Sequence, residues 1–405
     1  MRITLENISK VKRADIEING ITVIAGENNT GKSTVGKALW SIFNSFYDIE
    51  NEIKESRRNL LILKLDNHLD IINNLEYDKA LKISKKLISI REKSKSNIRK
   101  VILENLEYEV LEEVIDDIYE ILSLEDSYIL KTNLQKIIQL EFGRQVNSIY
   151  NQDDGKIKLI VKDRIMEAIF NSQNIKEIKN DKIIINTKAI YIDDPFVVDG
   201  VAGSFVRRGI TNHKGDLKKL LVSKPKKNDN IVENAIIEKK LERINEKLNS
   251  IFREGTEFNF YDRKVRLNNS VEELDIRNLS TGLKTFVILK NLISNGVLES
   301  RGTIILDEPE IHLHPEWQLL FAEIIVLLQK ELDLHILLAT HSPYFLRAIQ
   351  VYAGNYGIAD RCKYYLARNE ENSSVIDDVS DNIELIFEKL ARPLQKLEDL
   401  LYEKV

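Results

Sequence analysis

Apolar and polar positions alternate over the first residues of the chain. Residues 2–8 (Arg-Ile-Thr-Leu-Glu-Asn-Ile) and 14–18 (Ala-Asp-Ile-Glu-Ile) read as strands with one buried face. Asn19-Gly20 gives a turn signal, and Ile21-Thr22-Val23-Ile24-Ala25 is a short apolar strand. The period then lengthens: Val35, Ala38, Leu39, Ile42 and Phe43 recur at helical spacing. No proline occurs before Pro195, and no glycine lies between residues 51 and 142, so this stretch, rich in Leu, Ile, Glu and Lys, predicts a set of helices. Leu103, Leu106, Val110, Val114, Ile118 and Ile121 form one apolar stripe beside an acidic face. Sustained heptads are lacking, which predicts a compact helical lobe over 48–180 rather than a long coiled coil.

Strand-like sequence returns at 182–186 (Lys-Ile-Ile-Ile-Asn) and 189–193 (Ala-Ile-Tyr-Ile-Asp). Residues 207–230 are polar and basic, with Arg207, Arg208, Lys214, Lys218, Lys219, Lys224, Lys226 and Lys227, and predict an exposed connection. A charged amphipathic helix is expected over 231–254, with Ile236, Ile237, Leu241, Ile244, Leu248 and Ile251 on its apolar side. Phe258, Phe260, Val265 and Leu267 suggest a hairpin, a strand follows around Tyr364-Tyr365-Leu366, and an amphipathic helix runs from Asn382 onward. The pattern predicts an α/β fold in four parts. Residues 1–47 open a core, 48–180 are a helical insertion, 181–254 return to the core through the basic connection and amphipathic helix, and 255–405 complete it.

With 405 residues, 43% hydrophobic and 30% charged, the chain has material for a large core. A formal net charge of -5 means that nucleic-acid contact needs a local basic patch. Two candidates exist, Lys82 to Lys100 and 207–227; neither interleaves the aromatic residues that base stacking would use, so the first reads better as a solvated helix face and the second equally as solvated face or nucleic-acid contact. No span of about 20 uncharged residues points to a membrane, and Met1 leads straight into strand-like sequence, so no signal peptide is expected. Cys362 is the only cysteine, which excludes an internal disulfide and an all-cysteine metal site. These points favour the cytoplasm.

Four motifs carry chemistry. Gly26-Glu27-Asn28-Asn29-Thr30-Gly31-Lys32-Ser33 fits a phosphate loop between a strand and a helix, its required context. Its glycines let backbone N–H groups face phosphates, the helix start adds a favourable dipole, Lys32 bridges phosphates and Ser33 offers a hydroxyl to Mg²⁺. Ile304-Ile305-Leu306-Asp307-Glu308 is a buried strand ending in two carboxylates, Asp307 for the metal shell and Glu308 to orient and deprotonate a water. Leu279-Ser280-Thr281-Gly282 precedes a helix, where Ser280 is a good N-cap. His341 follows the strand His335-Ile336-Leu337-Leu338-Ala339 and is placed to touch a γ-phosphate. His312 and His314 do not read as a metal pair, since no further ligands cluster nearby; His314-Pro315 starts a helix.

The runs Asp307-Glu308-Pro309-Glu310-Ile311-His312-Leu313-His314-Pro315-Glu316-Trp317 and Ala339-Thr340-His341-Ser342-Pro343-Tyr344-Phe345-Leu346 resemble the RecF/SMC/OLD branch of ABC-type ATPases. The branch includes ATPase subunits of bacterial antiphage defence systems such as Septu and PARIS. The resemblance covers residues 1–45 and roughly 255–350. It implies an ABC-type P-loop core, a mixed sheet flanked by helices with the helical insertion between phosphate loop and signature, and the cofactors ATP and Mg²⁺. By the same resemblance Gly26, Asn28, Asn29, Thr30, Gly31, Lys32, Ser33 and Thr34 bind ATP, Ser33 and Asp307 hold the metal, and Glu308 and His341 are catalytic. Leu279, Ser280, Thr281 and Gly282 are the signature, whose Ser and Gly reach the nucleotide of another subunit; Thr281 stands where transporters have glycine, as in the non-transporter branch. Lys12 and Arg13 lie where relatives place basic residues beside adenine, or are solvated surface. No glutamine-loop equivalent is identifiable; Asp193 and Asp194 end a strand. The implied partners are a homodimer or higher homo-oligomer and a separate effector, a nuclease. The short tail after His341 predicts no C-terminal Toprim nuclease of the OLD kind. The alternative is a RecF-like repair ATPase that binds DNA directly.

Overall fold

The computed structural model describes residues 1–69, 77–106, 110–172, 174–180, 183–201, 209–224, 230–252, 256–267 and 270–402. They form two compact units, one of Met1–Asn44 with Gln135–Val405 and one of Ser45–Leu134.

The first unit is built on an eleven-stranded mixed sheet. Its strands are β1 (Arg2–Ile8), β2 (Val11–Glu17), β3 (Ile21–Gly26), β4 (Gly155–Val161), β5 (Arg164–Asn171), β6 (Asn174–Asn180), β7 (Ala189–Ile192), β11 (Thr303–Asp307), β12 (His335–Thr340), β13 (Cys362–Glu370) and β14 (Ser373–Asp378). Their spatial order is β6-β5-β4-β1-β2-β14-β13-β3-β12-β11-β7. A separate three-stranded antiparallel sheet joins β8 (Glu257–Asn259), β9 (Lys264–Arg266) and β10 (Leu274–Asp275). The large sheet has two textures. From β13 through β3, β12 and β11 to β7 every pairing is parallel. All residues of β3, β7 and β11 are buried, as expected of strands covered on both faces. The half from β6 to β2 is antiparallel and alternates buried with exposed positions.

Register makes the parallel half functional. Ala25 of β3 pairs with Thr340 of β12, Asp307 of β11 with Ala339 of β12, and Ile192 of β7 with Leu306 of β11. The carboxyl ends of these strands therefore finish side by side, the usual location of a ligand crevice in a parallel sheet. Helices α1 (Lys32–Ser45), α7 (His213–Val222), α8 (Ile231–Ile251), α9 (Thr281–Ser294), α10 (Pro315–Leu332), α11 (Pro343–Asn355) and α12 (Glu384–Tyr402) accompany this sheet. Leu241, Ile244 and Leu248 of α8 enter the core, whereas Ile236 and Ile237 on its expected apolar side are exposed.

The second unit contains α2 (Ile49–Leu69), α3 (Tyr77–Ile88), α4 (Lys95–Leu103), α5 (Glu112–Ser123) and the start of α6 (Asp126–Glu141). Leu61, Leu65, Ile83, Leu87, Ile98, Ile102, Ile115 and Ile118 share its core.

Several expectations change. The insertion expected over 48–180 ends as helix at Glu141, and residues 155–180 are β4, β5 and β6, which extend the large sheet. The period of two in β4 is plain in Ile157 and Leu159 inward against Lys156 and Lys158, a signal masked by the glycine-poor sequence before it. The single stripe from Leu103 to Ile121 is divided between α4 and α5. Leu103 is exposed, while Ile118 is fully buried. Residues 183–186 form no strand, and Lys182 lies outside the described residues. The basic connection is partly helix: α7 buries His213, Asp216, Leu217 and Leu221, and Arg207, Arg208, Lys226 and Lys227 lie outside the described residues. Among the described residues no helix is long and apolar enough to cross a membrane.

Candidate active site

The phosphate loop runs from the end of β3 into the first turn of α1. Asn29 at φ +61° and Gly31 at φ +82° turn the backbone back on itself. There is no room for side chains beneath it: a Cβ on Gly26 would lie 2.5 Å from the Ala367 carbonyl oxygen, and one on Gly31 2.5 Å from Val11 Cγ2. Thr30 Oγ1 donates to the Glu27 carbonyl at 2.8 Å, while Asn28 and Asn29 are exposed at the tip. Lys32 is buried and donates to the carbonyls of Gly26 (3.0 Å) and Glu27 (2.9 Å). Its cation is thereby curled over the loop, where a phosphate would compete for it.

Asp307 ends β11 nearly buried. Its Oδ2 accepts the Tyr191 hydroxyl at 2.8 Å, and its Oδ1 is buried without a hydrogen-bond partner. Burial pushes this carboxyl above its ordinary range, against the opposing pull of the nearby Ser33 and Tyr191 hydroxyls. Burial first and Asp307 second push the Tyr191 phenol well up, so it remains a donor. An orphaned carboxylate oxygen near a serine hydroxyl suits a hard divalent cation with oxygen ligands, so the residues present fit Mg²⁺.

Glu308 has φ +51°, a left-handed conformation that costs a non-glycine residue on the order of 1 kcal/mol or more. Its N–H donates to the Ala339 carbonyl at 2.9 Å, which anchors it to β12. Its Oε1 lies 3.5 Å from Lys32 Nζ and 3.4 Å from His341 Nδ1. The backbone strain thus coincides with the point where three motifs converge. Glu310, which stands in the 307–317 run without an expected role, is buried. It accepts the Thr340 hydroxyl and, at 3.3 Å, the His341 N–H. Burial raises its carboxyl. It fastens the turn after β11 to the end of β12 and so fixes where His341 begins.

The residues expected to form the signature line a different pocket. Ser280 occupies the N-cap position of α9, yet its side chain makes no capping hydrogen bond. Gly282 is buried, and a Cβ there would be 3.0 Å from the His312 carbonyl oxygen and 3.1 Å from the Trp317 ring. Ser280, Thr281, Gly282, His312, His314 and Trp317 line an open pocket of about 550 Å³ that includes no phosphate-loop residue. Contacts within one chain link Lys32 and His341 to Glu308 and Ser33 to Asp307, and none of these residues lines the pocket at Ser280.

Residues 1–346 match the family model of the AAA ATPase domain (AAA_15). The chain belongs to this family. It is an ATPase. Among solved structures it is similar to the SMC head domain from Thermotoga maritima (12% identity, TM-score 0.40, 93% of this chain and 98% of that one). It is also similar to an SMC head bound to the C-terminal winged-helix domain of ScpA (11%, 0.41, 95% and 98%). A third is the ADP conformation of an ATP-binding cassette of an ABC transporter (12%, 0.36, 95% and 94%).

Two features of this ATPase were not legible as motifs. A pocket of about 450 Å³ beside the phosphate loop is lined by Ser9, Lys10, Asn29, Thr34, Lys37 and Tyr150, among others. Lys12 and Arg13 are not among its lining residues; they approach Glu370 and Asp377, each at 3.6 Å. The other is His213, buried at the start of α7. Burial pushes its imidazole down, but interactions with Asp193 and Glu141 outweigh this and hold it at about 8. No sequence signal joins these residues beyond their chemical types.

Proposed function

We propose that this ATPase is a nucleotide-driven switch in which two copies enclose two ATP molecules, each between the phosphate loop of one copy and Ser280 and Gly282 of the other. The observation that carries this reading is the separation just described: an uncapped serine hydroxyl beside a tightly packed glycine in an open pocket that shares no residue with the phosphate loop. Lys32 exchanges its loop carbonyls for phosphate oxygens, and N–H groups at the start of α1 face the same charge. The pocket of Ser9, Lys10, Thr34 and Lys37 takes the nucleoside end. Ser33 and Asp307 hold Mg²⁺, which neutralises charge on the phosphates. Glu308 orients and deprotonates the attacking water, and His341 reads the γ-phosphate from the end of β12. Closure is then a population shift, since only the closed pair makes the full set of contacts.

The expected result for Glu308→Gln is ATP-bound dimers that persist in light scattering while turnover is lost; hydrolysis at the wild-type rate rejects the assignment. Ser280→Arg should keep ATP binding and lose the dimer.

The biological setting we propose is an antiphage defence module, with the ATPase restraining a separate nuclease effector. The support is the resemblance in 307–317 and 339–346. Phage plating on cells carrying the gene with its neighbours tests it: Lys32→Ala should alter protection, and identical plating refutes the role.

A further inference from the structure

We infer that His213 is a positioning residue for the metal-carrying carboxylate and acts through Tyr191; the inference rests on the proposed role of Asp307. His213 lies between two carboxylates. Nδ1 lies 2.6 Å from Glu141 Oε1 at the end of α6, and Nε2 lies 3.0 Å from Asp193 Oδ2 just beyond β7. The His213 N–H also donates to the second Glu141 oxygen at 3.1 Å. Glu141 holds the ring by a hydrogen bond at Nδ1, and Asp193 flanks it at Nε2 by charge without hydrogen-bond geometry. The face of the ring is then used. The Tyr191 ring stacks on it with centroids 4.3 Å apart and 26° between planes, and Trp40 of α1 closes a further side edge-on at 6.1 Å.

Tyr191 sits in a slot made to its length. Its hydroxyl reaches Asp307 Oδ2 at 2.8 Å, and Gly36 of α1 leaves the space, since a Cβ there would lie 3.1 Å from that hydroxyl. With Oδ2 fixed, the unpartnered Oδ1 points in a single direction. A buried histidine satisfied by one partner is ordinary core chemistry. Here two carboxylates flank one ring, and that ring carries the tyrosine that holds Asp307. Outer-shell partners of this kind are worth about 10–100-fold in metal affinity.

The test is Mn²⁺ binding followed by electron paramagnetic resonance, with a non-hydrolysable ATP analogue on the protein and turnover not required. Tyr191→Phe, which removes one oxygen, should weaken Mn²⁺ binding about tenfold while metal-free analogue binding stays at the wild-type value. His213→Gln should weaken it by a similar factor. The double variant should be no worse than either single one, because the two residues act in series. Wild-type Mn²⁺ affinity in Tyr191→Phe, alongside loss in Asp307→Asn, overturns the relay alone. Multiplying effects in the double variant also overturn it. Wild-type Mn²⁺ affinity in Asp307→Asn overturns the metal reading and the relay together. Should His213→Gln not fold, Tyr191→Phe still decides.

Discussion

The parallel half of the sheet and the helical unit of residues 45–134 spend their sequence differently. Around β3, β7, β11 and β12 nearly every position is enclosed, and the chain tolerates costs there. Examples are a left-handed Glu308, a buried Lys32 held on carbonyls, glycines pressed against backbone, and an orphaned Asp307 oxygen. In the helical unit the core is aliphatic and several ion pairs are exposed, for example Lys64 with Asp117 and Lys95 with Asp116. Such pairs contribute little. Asp307, Glu310 and His341 each keep a buried polar atom without a hydrogen-bond partner where chemistry is proposed; in the helical unit Arg57 and Arg58 do so, around a core built for packing.

That contrast can be broken at several points. Lys32→Ala should lower ATP turnover by about 100-fold or more and abolish binding of a fluorescent nucleotide, because it removes a preorganised charge from a buried site. Leu65→Ala, in the helical core, should cost about 2–5 kcal/mol in chemical denaturation. Turnover per folded molecule should remain close to wild type; a loss as large as that of Lys32→Ala would erase the distinction between the regions. A smaller effect is expected from pH. The folded His213 imidazole is held up at about 8, above its ordinary value of 6.5. Its stabilisation is therefore fully present below pH 6.5 and is lost as pH rises through 8, by on the order of 2 kcal/mol. Denaturation midpoints of wild type and His213→Gln should converge over that window. Smallest of all, Leu60→Ser at an exposed position of α2 should stay within about 0.5 kcal/mol.

What was legible in the sequence follows the same division. The phosphate loop, Asp307-Glu308 and His341 could be read because each is a short contiguous run whose chemistry demands a strand end or a helix start. The structure brings Lys32, Glu308 and His341 within one cluster. The helical texture before β4 to β6 hides these strands, although β4 and β5 alternate regularly; β6 does not, with Ile175 and Ile178 three positions apart. The carboxylate contacts of His213 were not readable. Glu141 is 72 positions away along the chain, and the Tyr191–Asp307 bond spans 116. Only the fold brings such partners together. Glu310 illustrates a subtler limit: it stood inside a recognised run, yet nothing in its spacing distinguished a buried fastener from a solvated acid.

The order of the large sheet bears on how the chain can be made. β3, which delivers the phosphate loop, lies between β12 and β13, and β2 lies beside β14. On a ribosome adding about 5–20 residues per second, β3 waits tens of seconds before residues 362–370 emerge to cover its second edge. Both edges stay open until β12 emerges, and one stays open until β13 does; such unsatisfied rows of N–H and C=O groups on an apolar strand are prone to pairing with other chains. Synthesis stopped short of β13 should therefore yield aggregates, and the last strands are as necessary to the nucleotide cradle as the motif that gives it away.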